Sequence, residues 1–292
     1  MTQLIHQLAH WRDIRQQWQD SSQRIAFVPT MGNLHEGHFS LVKLAQQHAD
    51  KVVVSIFVNP LQFGPNEDFD RYPRTLNTDV EALSQLGVDV VFAPDVDEVY
   101  PDMTSDISGG EGFLVLPPPK LTNILCGESR PGHFTGVATI VLKLFNMIQP
   151  QLTVFGEKDY QQLAIIKAMV SALNLPIKVI SAPTCRAADG LALSSRNQYL
   201  SLTQRQQASA IYKTLQTIAF GLRQGQSSDV LIEQARHELI YQGFDGVDYV
   251  SVRHPDSLAV QNFLGNDGAV ILIAARLGTT RLIDNLVVMA EA

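Results

Sequence analysis

Two histidines three residues apart, His35 and His38, lie in the stretch PTMGNLHEGH, between a strand-like run and a run of helical period. Such a junction points backbone N–H groups and the positive end of a helix dipole at one place, which suits a phosphate. Two imidazoles there can donate hydrogen bonds to charge that develops during phosphoryl or nucleotidyl transfer. A plain loop with two solvated histidines is the alternative. Zinc is disfavoured because no third ligand follows at suitable spacing.

Three further polar segments carry groups suited to small acidic ligands. NPLQFGPNEDFDRYP offers the amides of Asn59 and Gln62 to a hydroxy acid, and FGEKDYQQ offers Lys158 to phosphates. DGLALSSRN offers two hydroxyls and Arg196, a set that suits a phosphate clamp or a lid. Ligands of open parallel sheets bind beyond the carboxyl ends of the strands, so these segments predict one crevice. A Pro-rich connector, solvated turn charges and a hinge are the respective alternatives.

Short β-branched runs alternate with longer segments of helical period through the first part of the chain. This alternation is typical of βαβ units around a parallel sheet. The predicted strands span residues 25–29, 52–58, 88–93, 152–155 and 177–182. The predicted helices span residues 39–49, 76–86, 134–148 and 160–173. Residues 105–119 are rich in Gly and Pro, and we expect irregular or edge-strand structure there.

The pattern changes after Asn197, where two long helices and then three strands are predicted. Thr203 and Gln206 have the spacing of a capping box at the first helix. The helices span residues 204–223 and 229–241, and the strands span residues 247–253, 269–275 and 281–288. The fold class is therefore α/β, with a Rossmann-like parallel-sheet domain at residues 1–185 and a smaller C-terminal α+β domain at residues 186–292.

Composition narrows the function further. The chain has 292 residues, is 45% apolar and carries a net charge of −7, which disfavours a nucleic-acid binder but not a nucleotide pocket. Its two cysteines, Cys126 and Cys185, have no neighbouring metal-ligand spacing, and a disulfide framework is disfavoured as well. The start lacks the apolar core of a signal peptide, and the apolar runs are shorter than a membrane span. We expect a cytoplasmic protein with no nucleic-acid or membrane partner.

Five segments taken together resemble the pantothenate synthetase family. They are PTMGNLHEGH, NPLQFGPNEDFDRYPRT, GHFTGVATIVLKL, FGEKDYQQLAII and DGLALSSRNQYLS, in order between Ile25 and Ser201. HxGH alone would indicate only the nucleotidylyltransferase superfamily. The resemblance implies an ATP-dependent ligase that joins pantoate to β-alanine through a pantoyl-adenylate. It also implies dependence on Mg²⁺, a homodimer and a C-terminal lid domain.

The same resemblance implies roles for individual residues. His38 is the proton donor, and His35, Lys158, Ser194, Ser195 and Arg196 surround the triphosphate. Gln62 and Gln162 hold pantoate, Gln62 also lies near β-alanine, and Asp79 helps to position Mg²⁺. The implied ATP site consists of Met31, Gly32, Asn33, Leu34, His35, Glu36, Gly37, His38, Gly156, Glu157, Lys158, Asp159, Cys185, Leu193, Ser194, Ser195 and Arg196.

Cys185 departs from the family, which usually has an aliphatic residue there, in a segment whose backbone lies by the adenine. Two other functions stay open at this point. A nucleotidylyltransferase that makes a dinucleotide-type product would use the same two histidines but would not need Gln62 and Gln162. A nucleotide sensor would bind ATP without turnover. A tRNA synthetase is disfavoured by size, acidic charge and the lack of an anticodon-reading domain.

Overall fold

The computed structural model describes residues 2–64, 67, 69–101 and 112–290, so that residues 105–111 of the predicted irregular segment lie outside it. The chain packs into two compact units. The first contains Met1–Gly156 and Ile165–Ala182, and the second contains Glu157–Ala164 and Pro183–Ala292. The domain boundary expected at residues 185 and 186 stays a prediction.

A six-stranded, fully parallel sheet forms the centre of the first unit, in the order β1-β4-β3-β2-β5-β6. The five predicted strands are confirmed. The apolar runs of β2 to β5 are buried because helices cover both faces, whereas β6, at the edge of the sheet, is only partly buried. The first strand, only three residues long, was not predicted from the sequence. The strands are β1 Gln3–Ile5, β2 Ile25–Thr30, β3 Lys51–Ile56, β4 Val90–Phe92, β5 Leu152–Gly156 and β6 Lys178–Ala182.

Helices connect these strands, and the first of them was also absent from the prediction. Its Trp11 is fully buried, and the indole N–H donates to the Met147 carbonyl at 3.0 Å, which explains why a mostly polar segment docks. The helices are α1 Leu8–Asp20, α2 Glu36–Gln46, α3 Leu76–Gln85, α4 Val96–Val99, α5 Pro119–Thr122, α6 Cys126–Ser129, α7 His133–Ile148 and α8 Tyr160–Ala172.

The strand order reverses at β2, which has β3 on one side and β5 on the other. In open parallel sheets, ligands bind at such a switch point, outside the carboxyl ends of the strands. Strand β2 leads directly into residues 31–38, and β5 ends at Gly156, immediately before Lys158 and its neighbours in the chain. The topology therefore places the first of the chemically interesting turns at the switch point.

Three antiparallel strands and the helices packed on them form the second unit, with the sheet order β7-β8-β9. The elements are α9 Leu202–Gln207, α10 Ala210–Arg223, α11 Ser228–Tyr241, β7 Gly246–Arg253, β8 Ala269–Leu277 and β9 Thr280–Val288. Their shared core includes Leu215, Ile218, Leu239, Ile271 and Ile273. The predicted α+β composition is confirmed.

One helix of this unit differs from its prediction. The expected helix at residues 204–223 is two helices, α9 and α10, and the capping box uses Ser201 and Gln204 instead of Thr203 and Gln206. The Ser201 hydroxyl accepts from the Gln204 N–H at 3.3 Å, and the side-chain Oε1 of Gln204 accepts from the Ser201 N–H at 2.9 Å. Both pairs have the right spacing, and the helix start at Leu202 decides which one can act.

No helix within the described ranges is long and apolar enough to cross a membrane.

Candidate active site

Residues 31–38, here called the histidine turn, are held by two reciprocal cap contacts. The His35 ring accepts from the Gly37 N–H through Nδ1 at 3.1 Å, and the His38 ring accepts from the His35 N–H through Nδ1 at 3.3 Å. The ring centroids are 4.2 Å apart. These caps satisfy N–H groups of the first helical turn. Helix α2 therefore begins at Glu36, three residues before the predicted start.

The caps also fix where each imidazole carries its proton. A backbone N–H donates to Nδ1 of both rings, so Nδ1 is unprotonated and the neutral ring has its proton on Nε2. His35 and His38 thus have an Nε2–H donor without needing a positive charge. This tautomer can donate a hydrogen bond from Nε2 to a phosphate oxygen.

A buried carboxylate holds the rest of the histidine turn. Asp79, in the first turn of α3, is 3% exposed. Its Oδ2 accepts from the Asn33 N–H at 2.9 Å and from the Thr75 hydroxyl at 3.0 Å, and its Oδ1 accepts from the Leu34 N–H at 2.9 Å. We expected the backbone N–H groups of this turn to point at phosphate. Those of Asn33 and Leu34 are committed to Asp79 instead, because a carboxylate satisfies both.

The same contacts bear on the expected magnesium role of Asp79. Both of its oxygens already accept hydrogen bonds from the protein. Among the residues that the structure describes, no group of three or more His, Cys, Asp or Glu could hold a metal ion. Mg²⁺ keeps near-octahedral oxygen coordination and commonly uses substrate phosphates as ligands. The described residues therefore do not form a protein site for Mg²⁺ by themselves.

Gly32 is required by the geometry of the histidine turn. Its φ is +81°, and an added Cβ would lie 3.1 Å from Oδ2 of Asp79 and 3.1 Å from the Ile56 side chain. Asn33 follows with a φ of +51°. Asp79, a group of the protein itself, therefore lies close to the space that a side chain at position 32 would need.

The second segment ends at Gln62, and Asn59 orients its side chain. Asn59 is fully buried, and its amide nitrogen donates to Gln62 Oε1 at 3.1 Å and to the Gly136 carbonyl at 3.2 Å. Its own carbonyl accepts from the Tyr100 hydroxyl at 2.9 Å. We expected Asn59 to offer its amide to a substrate, but the structure commits both ends of that amide to the protein. With Oε1 of Gln62 thus occupied, its amide nitrogen is the group available to a carboxylate.

The main chain of Gln62 is held as well. Its carbonyl contacts Nδ1 of His133 at 2.8 Å and accepts from Arg130 at 3.2 Å. Arg130 also pairs with Glu67, with Nε 2.7 Å from Oε1. Burial raises the pKa of Glu67, but the hydrogen bonds and charge of Arg130, the Gly64 main chain and His133 together outweigh burial and hold the pKa below its usual value. An added Cβ at Gly136 would lie 2.0 Å from the Leu61 carbonyl, so a glycine is needed where α7 packs on this segment.

In the second unit, Glu157–Asp159 forms a 3₁₀ turn that we call the lysine turn. The Asn285 side chain donates to the carbonyls of Glu157 and Lys158 at 2.8 and 2.9 Å. The Lys158 ammonium lies 3.6 Å from Oδ1 of Asp159. Gln162 is half-buried in the first turn of α8. The lysine turn is therefore fixed through its main-chain carbonyls by a residue 127 positions away.

The segment around DGLALSSRN forms a small hairpin and a second 3₁₀ turn, Ser195–Tyr199. The Leu193 N–H donates to the Cys185 carbonyl at 2.9 Å, so the half-buried Cys185 contributes main-chain structure here. The Ser194 hydroxyl accepts from the Arg196 N–H at 3.3 Å and caps the turn. This contact uses the main-chain carbonyl of Cys185 and does not involve its thiol.

The candidate residues are divided between the two units. The first unit contains the histidine turn, Asp79, which contacts that turn, and Gln62, and the second contains Lys158, Gln162 and the 185–196 segment. Glu36 is exposed, while Met31, Leu34 and Gly37 are partly buried. Sequence reasoning gave no role to four residues that hold these groups. They are Tyr100, Arg130, His133 and Asn285. His133 lies in the segment GHFTGVATIVLKL, and the other three lie outside the quoted segments.

A parallel sheet with an HxGH turn at its switch point is the architecture of a nucleotidylyltransferase-type α/β protein. Within that class the assignment is specific, because the pantoate-β-alanine ligase family model matches residues 3–287. The chain belongs to that family.

Relatives and solved structures agree with this membership. A pantothenate synthetase of Pseudomonas putida is 56% identical over 92% of this chain and 91% of its own length. One from Neisseria meningitidis serogroup C is 50% identical over 97% of this chain and 98% of its own. The pantothenate synthetase structure from Thermus thermophilus superposes with a TM-score of 0.90 at 42% identity, over 98% of this chain and 99% of that one.

A further structure carries ligands. The pantoate-β-alanine ligase of Francisella tularensis, complexed with a βγ-ATP compound and β-alanine, has a TM-score of 0.81 at 38% identity and covers 98% of both chains. The predicted fold class and family are confirmed.

Proposed function

We propose that this chain condenses pantoate with β-alanine at the expense of ATP, through a pantoyl-adenylate, and releases pantothenate, AMP and pyrophosphate. Family membership over residues 3–287 supports the overall reaction. The observation that carries the mechanism is the pair of reciprocal caps that leaves His35 and His38 protonated on Nε2. Two fixed neutral donors at a switch point are suited to phosphate oxygens that gain charge in a transition state.

The first half-reaction activates the acid. A carboxylate is a poor acyl donor because its leaving group would be oxide. Attack by a pantoate oxygen on the α-phosphorus of ATP forms the adenylate, and the bond to the β-phosphate oxygen breaks to release pyrophosphate. In this proposal His38 and His35 donate from Nε2 to the oxygens that gain charge.

Cations and hydroxyls of the second unit complete the phosphate contacts in this proposal. Lys158 supplies a compact charge, and Arg196 supplies a planar fork that suits phosphate. Ser194 and Ser195 add hydroxyls, and main-chain groups of Gly156–Asp159 and around Cys185 and Leu193 contact the nucleotide. Support for these assignments comes from the family resemblance and from the order that the 3₁₀ turns impose on the segments.

The second half-reaction forms the amide. The β-alanine amine attacks the activated carbonyl, and AMP leaves with the bonding electron pair. Gln62 and Gln162 are each proposed to contact pantoate, with Gln62 also near β-alanine. The fixed orientation of the Gln62 amide supports this role, because its nitrogen can donate to a carboxylate.

Three further features belong to the proposal. Mg²⁺ enters with ATP, and the engagement of Asp79 by protein donors argues for the phosphates as the principal ligands. The chain forms a homodimer, which sedimentation analysis tests directly. It acts in the cytoplasm, a location that suits a chain whose two cysteines are both free thiols.

Pyrophosphate release from ATP, measured with a panel of small carboxylic acids and no amine, tests the proposed reaction. Pantoate should give one equivalent of pyrophosphate and a bound adenylate, whereas β-alanine alone should give none. Adding β-alanine after pantoate should release AMP. Pyrophosphate from β-alanine in the absence of pantoate would overturn the order of the two steps.

A further inference from the structure

Asn285 connects the last strand of the chain to the lysine turn. It lies on β9 and is 4% exposed, although neither its type nor its position belongs to an active-site motif. Its side-chain nitrogen donates to two successive carbonyls, those of Glu157 and Lys158, at 2.8 and 2.9 Å. An amide nitrogen has two N–H groups, and here both have an acceptor.

A buried ion pair holds Asn285 in turn. Arg186 pairs with Asp284 through two contacts of 2.6 and 3.0 Å, and it donates to the Asn285 carbonyl at 3.1 Å. The Asn285 N–H donates to Oδ1 of Asp284 at 2.7 Å. The Arg186 guanidinium lies 3.9 Å from the centre of the Tyr212 ring, which limits its movement. Hydrogen bonds therefore hold both main-chain polar groups of Asn285, and its side chain contacts the lysine turn from this fixed backbone.

We propose that Asn285 is a positioning residue for the adenylation step and acts through Lys158; this rests on the proposed role of Lys158 at the phosphates of ATP. Two successive peptide planes with fixed carbonyls set the direction in which the Lys158 side chain leaves the backbone. Lysine has a flexible stem. The position of its backbone therefore decides what fraction of its side-chain conformations places the ammonium next to a phosphate. A displacement of about 1 Å in a positioned group can lower a rate about 10²-fold.

Asn285→Ala removes both donors, and Asn285→Ser keeps a single hydroxyl donor. Asn285→Ala should lower kcat/KM for ATP in pyrophosphate release about 10- to 10²-fold. Asn285→Ser should lie between this variant and the wild type. Conversion of chemically supplied pantoyl-adenylate with β-alanine should stay close to the wild-type rate, because no pyrophosphate leaves in that step.

Leu282→Ala is the matched control for loss of stability. Leu282 lies on the opposite face of β9 from Asn285, in the hydrophobic core of the second unit, and the active-site proposal gives it no role. This variant should melt at a lower temperature but keep both half-reactions close to wild type at a temperature where it is folded. Equal losses in both half-reactions for Asn285→Ala would indicate a purely structural role and overturn the inference.

A double variant separates this inference from the proposed function. Lys158→Ala alone should weaken ATP use. Adding Asn285→Ala to it should then cost no more than about a further twofold, since residues that act through one group are not additive. Full additivity would overturn the inference while leaving the role of Lys158 intact. A Lys158→Ala variant with normal ATP kinetics would refute the proposed role of Lys158, and the inference with it. If Asn285→Ala does not fold, Asn285→Ser supplies the same comparison.

Discussion

The histidine turn and the lysine turn carry the groups proposed to act on phosphate, and the protein holds them by opposite chemistry. In the histidine turn, a carboxylate from α3, Asp79, accepts from two backbone N–H groups and a hydroxyl. In the lysine turn, a neutral amide from β9, Asn285, donates to two backbone carbonyls. Each anchor is buried, and each comes from an element distant in the sequence.

The two turns also differ in what is fixed. In the histidine turn the imidazoles themselves form the caps, so that the orientation of the reactive nitrogen is set directly. In the lysine turn Asn285 holds main-chain atoms, and the four-carbon stem of Lys158 lies between those atoms and its charge. Fixed donors contribute most where charge develops, whereas a mobile cation can follow phosphates that are charged throughout. We therefore expect the histidines to contribute mainly to stabilising the transition state, and Lys158 to contribute mainly to binding ATP.

His38→Ala should give the largest effect and tests that assignment first. It should cut adenylate formation about 10²- to 10³-fold, the scale found when one preorganised donor is removed. ATP binding should change much less. Lys158→Ala should weaken ATP binding and turnover together. Pre-steady-state measurement of both half-reactions checks this, with supplied pantoyl-adenylate as the control substrate. Equal loss in both halves for His38→Ala would place His38 at the acyl centre or in the fold.

Asp79→Asn should be the next largest perturbation. One N–H of the histidine turn would then face an amide nitrogen, and an unsatisfied buried donor costs about 1–3 kcal/mol of unfolding free energy. Adenylation should fall about 10- to 10²-fold because the imidazoles shift with the turn. Asp89→Asn is the matched control. Asp89 accepts from the Val52 N–H at 2.9 Å near the amino-terminal ends of β3 and β4, away from the histidine turn at the carboxyl end of β2. Stability loss in both variants with normal adenylation in Asp79→Asn would contradict the positioning role.

Gly32 in the histidine turn and Gly156, which precedes the lysine turn, should respond differently to one added methyl group. Gly32→Ala forces a side chain into the left-handed region beside Asp79, which should cost about 1–2 kcal/mol of unfolding free energy. At Gly156 an added Cβ would meet only Leu41, at 3.8 Å. Gly156→Ala should therefore be neutral or stabilising by up to about 1 kcal/mol, since alanine restricts the unfolded chain. Urea unfolding measures both variants, and equal destabilisation would refute the distinction.

Much of the fold follows from local pattern. The near-continuous apolar runs at residues 52–58 and 152–155 predicted buried parallel strands correctly, because both faces of such strands are covered. The segment containing β1 and α1 was missed, since the strand has only three residues and the mostly polar helix buries only Trp11 and Ile14. The long predicted helix of the second unit was wrong in two ways. Its start was misplaced because the sequence contains two equivalent capping patterns, and the break between α9 and α10 was missed.

The candidate site is predictable only where chemistry coincides with a motif. HxGH at a strand-to-helix junction was found in this way, but the function of the Nδ1 atoms as caps was not. Asp79 was named for a metal, and the structure gives it backbone donors instead. Asn285 has no local signal at all, because its partners lie more than 120 residues away in the chain. Contacts over such separations are set by tertiary packing, which short motifs do not encode.

The Asp189–Arg205 pair should give the smallest effect, because it holds the 185–196 segment from the surface. Two hydrogen bonds from Arg205 lower the pKa of Asp189 below its usual value. The side chains are 40% and 36% exposed, so the pair should contribute only about 0.2–1 kcal/mol. A carboxyl with a lowered folded-state pKa stabilises the fold above its unfolded pKa of about 3.9, and the contribution disappears as the pH falls through the folded value. Asp189→Asn should therefore be less stable than wild type at pH 7 by this small amount, and the stabilities of the two proteins should converge as the pH falls below about 4 in urea unfolding.

Arg205→Gln should show the same loss of stability at pH 7, and added salt should reduce the difference from wild type because an exposed pair is screened. A stability difference that persists unchanged at pH 3 would mean that Asp189 acts through its shape and its hydrogen bond from the Leu191 N–H. The contributions of surface and buried anchors to stability would then differ less than their burial implies.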